Sequence, residues 1–552
     1  MGVISDPTEE SAVREFFELF KIPWEFYRKE RQYQIVLCTG DAKPQPASTR
    51  LLILYASTET EFDARLKIET RLHDHETNIS FPSGSLPLYG SHATFLSRGA
   101  KVLSDEDSGE TIGFVDRLGD QMFARLGYDL FREVRCLLTQ GQPTANAGTP
   151  TLELHIAFLR DLIVGCGIPL VEIPPLPDGY SFIVCLTHDV DHPSIRRHQF
   201  DHTMFGFLYR ATLGSLFNVG RGRLPWRKMF TNWAAAAKLP FIYLGIAKDF
   251  WSEFDRYVEI EKGNPSTFFV LPFEGDPGRS PEGRAPWARA SRYDASHIAS
   301  KISHLTSAGC EIGLHGIDAW VDSSRGREEA KRITGFSGKE TAGVRMHWLY
   351  WREDSPVILE DGGFSYDSTV GYNDAIGYRA GTSQAYKPLQ ASRILELPLH
   401  VMDTALFYPD RLDLSPREAW KRVSSILDNA VRLGGAVTIN WHDRSIAPER
   451  LWDDFYIRLL NDLENRGPWF ATVSQAVSWF RTRRSAVFQK VQYDSGAMHV
   501  KVSTSGGDKL AGLRLRVHKS RVPNQFVECA DNHTNGYVDI SLNERIDTLV
   551  AL

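Results

Sequence analysis

No stretch of this 552-residue sequence is apolar enough for a membrane-spanning helix, which needs roughly 18 consecutive apolar residues. The most apolar segment, 234–250, is interrupted by two lysines, a proline and an aspartate. The segment 1–17 is acidic and lacks the positive charge and the apolar stretch of a signal peptide. We therefore expect no transmembrane segment and a cytoplasmic location.

Cysteine is scarce, and familiar catalytic motifs are missing. The six cysteines stand singly without a C-x-x-C pair, which excludes a disulfide framework and a thiolate zinc site. There is no H-E-x-x-H, no G-x-S-x-G and no phosphate-binding glycine loop. The sequence therefore lacks the motifs of zincin proteases, of serine hydrolases with a nucleophile elbow and of P-loop enzymes.

Neither sign of charge dominates. The chain has 63 basic and 69 acidic residues, a net charge of −6. Such a balance gives no electrostatic footprint for nucleic acid or for an anionic membrane. We expect no nucleic-acid partner and a neutral or weakly charged ligand, while the composition gives no oligomeric state.

The length exceeds what one hydrophobic core supports, so we expect about three domains. Residues 1–175 form an N-terminal α/β domain of unknown role, in which helical spacing predicts a helix over 119–138. A proline-rich linker precedes a central domain, 176–484, and short alternating strands indicate a small β-rich domain over 485–552.

The central region alternates buried strands with helices, which is typical of a parallel sheet or barrel. Functional groups in such folds lie at the carboxyl ends of the strands. The predicted strands are 182–187, 267–273, 311–314, 394–399 and 436–440, and the predicted helices are 250–262, 296–308, 327–335, 416–433 and 448–465.

The strongest motif is T-H-D-V-D-H-P over 187–193, directly after the apolar run F-I-V-C-L. It contains Asp189 and Asp191, which lie close in space at the end of a buried strand. Crowding raises the pKa of one carboxylate unless a cation neutralises the other, so a base and a metal ligand can be neighbours here. The alternative is a solvated turn at the end of a strand.

Three further segments place polar groups after apolar runs. They are E-I-G-L-H-G with His315, G-V-R-M-H-W with Arg345 and His347, and I-N-W-H-D with His442. A lone histidine in such a place is more often structural than a ligand, so each segment is weak alone. Their order and their strand-end positions together favour a catalytic site.

These segments resemble, in order, the motifs of the polysaccharide deacetylase family, which is NodB-like and similar to carbohydrate esterase family 4. The resemblance covers residues 181–481 and includes S-T-F-F-V over 266–270 and D-G-G-F-S-Y-D-S over 361–368. It implies a distorted (β/α) barrel and a hydrolase that removes acetyl groups from N-acetylated sugars with a divalent metal.

The resemblance also implies roles for single residues. Asp189 matches the general base, and Arg345 matches the arginine that orients it. Asp191 and His315 match metal ligands. His442 matches the general acid, whose usual aspartate partner would be Asp374 or Asp367.

One position departs from the family pattern. The second histidine of the metal motif, four residues after the first, is Ala319 here. We expect His347 to supply the missing ligand, so that Asp191, His315 and His347 leave one position open, as in catalytic zinc sites. Zinc is the expected metal, although cobalt, nickel or iron also suit these donors. The competing interpretation is a degenerate metal site.

Aromatic residues next to this motif suit a sugar. Trp348 and Trp351, with Tyr350, could form a substrate-binding platform, and they are equally compatible with a core. His198 and His202 indicate a solvated helix face, and the cluster H-D-H-E over 73–76 is expected to be exposed.

The leading hypothesis is an enzyme that removes an acyl group from an N-acylated sugar or glycan precursor of bacterial surface polysaccharide. The alternatives are an amidohydrolase acting on a non-sugar C–N bond and a non-catalytic glycan-binding protein derived from such an enzyme.

Overall fold

The computed structural model describes residues 1–40, 49–96, 98–338, 343–494, 497–504, 510, 512–520, 536–542 and 546–551. The chain divides into two compact units. The first unit comprises Met1–Gly179, Ala380–Thr382 and Trp479–Leu552, and the second comprises Tyr180–Arg379 and Ser383–Ser478. The β-rich segment at 485–552 therefore falls in the same unit as residues 1–175, and the division into three domains stays a prediction.

The first unit is built on a mixed sheet of eleven strands. Its strands, with β12 of a separate sheet, are β1 (Gly2–Ile4), β2 (Glu25–Phe26), β3 (Ile35–Thr39), β4 (Leu51–Tyr55), β5 (Thr70–His73), β6 (Thr77–Phe81), β7 (Gly84–Leu88), β8 (His92–Phe95), β9 (Ala100–Asp105), β10 (Thr111–Leu118), β11 (Gln121–Leu126) and β12 (Leu170–Glu172). The helices are α1 (Glu10–Phe20), α2 (Glu61–Leu66), α3 (Leu130–Thr139) and α4 (Thr151–Gly165).

The helix predicted over 119–138 is wrong in its first half. Residues 121–126 form β11, which pairs antiparallel with β10 around a turn at Gly119, where φ is +64°. Only the second half is helical, as α3. The pairing with β10 and with the parallel neighbour β4 overrides the local helical spacing.

The second unit contains a parallel sheet in the order β20-β19-β18-β17-β14-β13-β22-β21, with β23 also on β13. Its strands, with the separate hairpin β15–β16, are β13 (Ile183–Val190), β14 (Ser266–Val270), β15 (Arg279–Ser280), β16 (Gly283–Arg284), β17 (Glu311–Gly316), β18 (Gly343–Met346), β19 (Tyr366–Asp367), β20 (Leu395–Glu396), β21 (Val401–Met402), β22 (Ala436–Asn440) and β23 (Trp469–Phe470). All pairs in this sheet are parallel, so the predicted fold class, an α/β barrel-like sheet, is confirmed.

Helices follow the strands of this sheet. They are α5 (His202–Tyr209), α6 (Ser215–Gly220), α7 (Trp226–Tyr243), α8 (Phe254–Ile260), α9 (Ala299–Ser307), α10 (Ser323–Ser337), α11 (Ser355–Asp361), α12 (Asp403–Phe407), α13 (Pro416–Leu433), α14 (Asp453–Arg466) and α15 (Val473–Ser485), the last crossing the unit boundary. In the part of the chain that is described, no helix is both long and apolar enough to cross a bilayer.

The core of the second unit lies between the sheet and these helices. All eight residues of β13 are buried, as are all five of β14 and of β22. Strands buried on both faces read as continuous apolar runs, which is why the sequence located them. An insertion between β13 and β14 carries α5, α6 and α7 and has a small core of its own around Phe207 and Trp251.

The C-terminal segment adds the strands β24 (Ala486–Asp494), β25 (Ala497–Thr504), β26 (Leu513–His518), β27 (Tyr537–Leu542) and β28 (Ile546–Ala551). β24, β25 and β28 form one antiparallel sheet. β26 pairs with β27 and, on its other edge, with β12 from the N-terminal region. This pairing builds the C-terminal segment into the first unit.

Candidate active site

Asp189 lies near the carboxyl end of β13 and is held by side chains from two other strands. Arg345 Nη1 donates to its Oδ1 at 3.0 Å, and Asn440 Nδ2 donates to its Oδ2 at 2.8 Å. The side chain is almost fully buried yet lines a cavity. A carboxylate with a fixed orientation and access to a cavity is suited to take a proton from water.

The side chain of Arg345 is completely buried, and further hydrogen bonds hold its guanidinium group beside Asp189. Its Nη1 also donates to Thr187 Oγ1 at 2.8 Å, and its Nε and Nη2 donate to the carbonyl and hydroxyl oxygens of Ser368 at 2.9 and 3.0 Å. The guanidinium carbon lies 4.5 Å from the ring centroid of Phe269. Arg345 therefore acts on the site through Asp189 and not through a substrate.

Asp191, His315 and His347 meet at the same edge of the sheet. His315 Nε2 and His347 Nε2 lie 3.4 and 3.6 Å from Asp191 Oδ1. The strands explain the meeting, because β17 and β18 are neighbours, His315 pairs with Arg345, and His347 follows two residues later. Two ligand atoms about 2.0–2.1 Å from one tetrahedral ion lie about 3.3 Å apart, so these separations suit a shared cation.

The protonation of these groups also fits a cation. Asp191 Oδ1 is buried and has no hydrogen-bond partner among the described residues, an arrangement that is costly for an isolated carboxylate. His315 Nδ1 lies 3.0 Å from the carbonyl oxygen of Arg345. A carbonyl only accepts, so Nδ1 carries the proton and Nε2 presents its lone pair. Burial holds the pKa of His347 well below its usual range, which keeps that imidazole neutral.

Ala319, the position of the missing family histidine, points into the core. Its side chain is fully buried and lies against Gly326 of α10, where an added Cβ would stand 3.2 Å from the Ala319 Cβ. It does not line the cavity that contains His315. The close approach of α10 leaves no room for an imidazole, whereas His347 enters from the adjacent strand.

His442 lies on another side of Asp191, with its Nε2 3.8 Å from Asp191 Oδ2. Its Nδ1 is 2.6 Å from Asp403 Oδ1, and its backbone N–H donates to Asp403 Oδ2 at 2.7 Å. Burial lowers the pKa of His442, but the charge and the hydrogen bond of Asp403 more than offset this and raise it to about 10. The imidazole is therefore protonated at neutral pH, with Nε2 facing the cavity.

The predicted partners of this histidine, Asp367 and Asp374, are wrong. Asp374 is exposed in a loop. Asp367 is buried, accepts a hydrogen bond from Thr369 and has its pKa raised to about 6 by burial. Asp403 takes the role because β21 pairs with β22, which brings the end of β21 beside His442.

The residues around this cluster line a cavity of about 330 Å³. Trp348 contributes an indole that is 38% exposed, and Tyr350 lies beside it. Trp351, predicted with Trp348 to bind substrate, is half-buried and is not among the described residues that line the cavity. The lining residues are Asp189, Asp191, His192, His315, His347, Trp348, Leu349, Tyr350, Asn373, Met402, Thr404, Tyr408, Arg411, His442, Asp443, Arg444 and Arg450.

The backbone after His347 has a strained conformation that side-chain hydrogen bonds hold in place. Trp348 and Leu349 have φ of +65° and +56°, a region that non-glycine residues rarely occupy. Asn373 Nδ2 donates to the Trp348 carbonyl at 3.0 Å, and Arg289 Nη2 donates to the His347 carbonyl at 2.9 Å. Strain held by such contacts is typical of functional sites, and here it aims His347 at Asp191 while Trp348 faces the cavity.

The chain was compared with family models, curated proteins and solved structures. No family model and no curated protein matches the chain. Similar solved structures include a putative polysaccharide deacetylase from Mycobacterium smegmatis (19% identity, covering 56% of this chain and 95% of that one, TM-score 0.35) and a probable polysaccharide deacetylase from Pseudomonas aeruginosa PAO1 (16%, 58% and 98%, 0.37). Puue allantoinase is also similar (15%, 55% and 92%, 0.35).

The similar solved structures named here are thus two polysaccharide deacetylases and an allantoinase. With identities below 20% and TM-scores below 0.5, these likenesses carry no argument about this chain. What the site does is therefore argued below from its own side chains.

Two residues of this site, Asn440 and Asp403, were not predicted to be functional from the sequence. Asn440, at the end of β22, holds Asp189, and Asp403 follows the short strand β21. Both stand directly after apolar residues, the same signal that identified the histidines. A polar residue directly after an apolar run marks a strand end, but it does not reveal which strand ends lie next to each other in the sheet.

The other histidines match the expectation in part: in the segment 73–76, His73 is half-buried, and the three residues after it are exposed as expected. His198 is buried, with Nδ1 2.8 Å from Asp201 and Nε2 3.2 Å from His192, so a solvated position is wrong for it and right for His202. In the first unit, His73 and His75 cluster with His92 on β8, opposite His73. The rings of His73 and His92 are stacked within 7° of parallel, so their nitrogen lone pairs do not converge as metal ligands would.

Proposed function

We propose that the second unit is a metal-dependent hydrolase that removes an acetyl or other acyl group from the nitrogen of a sugar or glycan precursor. One observation carries the proposal. An oriented carboxylate, Asp189, and a protonated imidazole, His442, line one cavity together with the Asp191, His315 and His347 cluster. Amide hydrolysis needs these three elements: a base for water, an acid for the leaving nitrogen and a cation for the developing oxyanion.

Asp191, His315 and His347 would hold the cation. Two imidazole nitrogens and one carboxylate are donors that suit zinc, with cobalt, nickel or iron as further candidates. When bound, a divalent cation acts as a Lewis acid on the acyl oxygen and lowers the pKa of water. Three protein ligands leave a coordination position open for that chemistry.

Asp189 takes the proton from the attacking water. Arg345 and Asn440 each occupy one of its oxygens, which leaves a lone pair on each oxygen for the cavity side. The water oxygen bonds to the acyl carbon as the proton moves to Asp189, giving a tetrahedral intermediate. Because Asp189 is already oriented in the folded protein, the reaction loses little further entropy in positioning the base.

His442 supplies the second proton. The C–N bond breaks as His442 Nε2 donates its proton to the nitrogen, so the products are a carboxylic acid and an amine. An amide nitrogen leaves poorly as an anion, so this proton is required. Asp403 stabilises the charged imidazole and, through Nδ1, holds Nε2 toward the cavity.

The exposed indole of Trp348 supports a carbohydrate substrate. Its ring lines the cavity next to His347, and aromatic faces pack against the apolar face of a pyranose. This contact would place an acylamino group of the sugar above the cluster.

Metal content and acetate release test the proposal together. The purified chain is expected to carry about one equivalent of divalent metal at the cluster and to release acetate from at least one N-acetylated sugar. Asp189→Asn should lower kcat by about 10²–10⁴-fold with unchanged metal content, because the general base is lost while all three residues of the cluster remain. Asp374→Asn, which removes an exposed carboxylate, is the matched control and should keep wild-type activity.

Two outcomes oppose the proposal. A chain that neither carries nor binds zinc would support a decayed, non-catalytic glycan-binding protein. A metal-loaded chain that hydrolyses non-sugar amides and no N-acetylated sugar would keep the chemistry and refute the substrate class.

A further inference from the structure

Three arginines line the same cavity as Asp189 and His442. They are Arg411, Arg444 and Arg450. Arg444 and Arg450 are only 8% and 7% exposed, and Arg411 is half-buried. Buried guanidinium groups are always charged, so each requires a compensating negative charge.

That compensation is incomplete. Glu449 Oε1 lies 3.7 Å from Arg444 Nη1 and 3.9 Å from Arg450 Nε, and its Oε2 accepts from Arg210 Nε at 2.7 Å. One carboxylate thus serves three guanidinium groups. Within the described residues, no other carboxylate lies within 4.0 Å of Arg444 or Arg450, and Arg411 has no ion pair.

The other acidic side chains nearby, Asp403 and Asp443, lie beyond ion-pair distance of these arginines, although Asp443 Oδ1 is buried without a hydrogen-bond partner in the described part of the chain. Asp403 bonds to His442 and to Ser445. Asp443, which also lines the cavity, accepts from the backbone N–H of His192 at 3.0 Å. With Asp443 counted beside Glu449, and Asp403 paired with His442, the guanidinium groups of Arg210, Arg444 and Arg450 still outnumber the carboxylates beside them.

The hydrogen bonds of these arginines are also incomplete. Arg444 Nη1 and Arg450 Nε are buried and face Glu449 Oε1, which at 3.7 and 3.9 Å is too far away to accept a hydrogen bond from either. The remaining donors of Arg450 bond to neutral hydroxyl groups of Ser445 and Tyr408. Arg444 lies 4.7 Å over the ring of Trp251, which orients its plane without neutralising it. An ion pair as long as the one with Glu449 leaves the charge of both guanidinium groups only partly compensated.

We propose that the substrate carries an oxyanion, a carboxylate or a phosphate, close to its acylated nitrogen, and that Arg444, Arg450 and Arg411 bind it. This inference rests on the proposed function and refines its substrate class to acidic N-acylated sugars. Guanidinium groups bind planar oxyanions with two parallel hydrogen bonds, which suits this cluster. The net charge of the whole chain favours a neutral ligand, but only the local charge acts inside a cavity of this size.

A matched pair of variants tests the inference. Arg444→Gln and Arg210→Gln each remove one guanidinium from Glu449, but only Arg444 lines the cavity. The substrates are N-acetylglucosamine and the same sugar carrying a carboxylate or a phosphate at its sixth carbon, which separates the two anions.

The wild type should prefer at least one acidic sugar. In Arg444→Gln, the ratio of kcat/KM for the acidic sugar over the neutral sugar should fall about tenfold to hundredfold, as expected for a lost charged hydrogen bond. Arg210→Gln should keep that ratio within threefold. A wild type without preference, or an Arg444→Gln variant with an unchanged ratio, would overturn the inference.

A binding measurement separates this inference from the proposed function. If no sugar releases acetate, the proposed function fails, and sulfate binding to the purified chain is then measured by calorimetry. Binding that is lost in Arg444→Gln and kept in Arg210→Gln supports the anion site by itself. Equal binding in both variants, or none in the wild type, overturns it.

Discussion

Replacing His347 by alanine tests whether this imidazole stands in for the histidine that is absent at position 319. His347 Nε2 lies 3.6 Å from Asp191 Oδ1, and His315 Nε2 lies 3.4 Å from the same atom. With His347 removed, the cluster retains one imidazole and one carboxylate. Water then has to replace the third ligand.

The size of the effect follows from the number of ligands. Structural zinc sites with four ligands bind zinc with a free energy of about 10–16 kcal/mol, which is about 2.5–4 kcal/mol for each ligand. Loss of one ligand should therefore weaken zinc binding by about two to three orders of magnitude. The remaining apoprotein should stay folded, because the lost side chain lines a cavity and is not packed on all sides.

Competition with a chromogenic chelator measures the zinc affinity of the wild type and of His347→Ala. His202→Ala removes an exposed histidine of the same unit and should leave the affinity unchanged. The double variant His347→Ala/Ala319→His should not recover binding, since Ala319 is fully buried against Gly326. Wild-type affinity in His347→Ala would refute His347 as a ligand, whereas recovery in the double variant would refute the lack of room for an imidazole at position 319.

Three further predictions concern other contacts. Asp403→Asn should lower kcat by at least about 30-fold at pH 8, because His442 without its carboxylate returns to or below a pKa of about 6.5 and is at most about 3% charged there. The loss of kcat should shrink at pH 6, and the control variant Asp374→Asn should show no loss. An equal loss at both pH values would contradict the reasoning. Burial raises the pKa of Glu133 to about 7, so between about pH 4.5 and 7 Glu133 is protonated in the folded state and ionised in the unfolded state. Its contribution to the free energy of unfolding therefore falls as the pH rises through that range. Glu133→Gln should reduce the difference in the free energy of unfolding between pH 5 and pH 7.5, measured by urea titration, and an unchanged difference would contradict the prediction. Arg125 is fully buried and donates two hydrogen bonds to Asp63, each at 2.9 Å. Asp63→Ala removes the counter-charge of this arginine and should lower the free energy of unfolding by about 3–5 kcal/mol. A loss below about 1 kcal/mol, measured by urea denaturation, would show that the pair is not buried in solution.

Local patterns predicted those elements whose signals are local. The bounds of α13 were predicted without error, because Ser415 and Glu418 form a capping box around Pro416 and Gly434 follows the last turn. The buried strand β22 was equally well predicted from its apolar run. The segment 119–138 was not, because a tight turn at Gly119 returns the chain as β11, and helical spacing does not reveal which strand it will pair with.

The site divides in the same way. The sequence by itself determined the chemistry that lies within single motifs: the two carboxylates Asp189 and Asp191 at one strand end, and the histidines at three others. Only the tertiary structure decided which partners meet. Asp403 bonds to His442 because β21 lies beside β22, and the arginine cluster gathers in one cavity from separate loops. The physical reason is that strand order, which depends on packing across the whole sheet, sets the distances between side chains far apart in sequence.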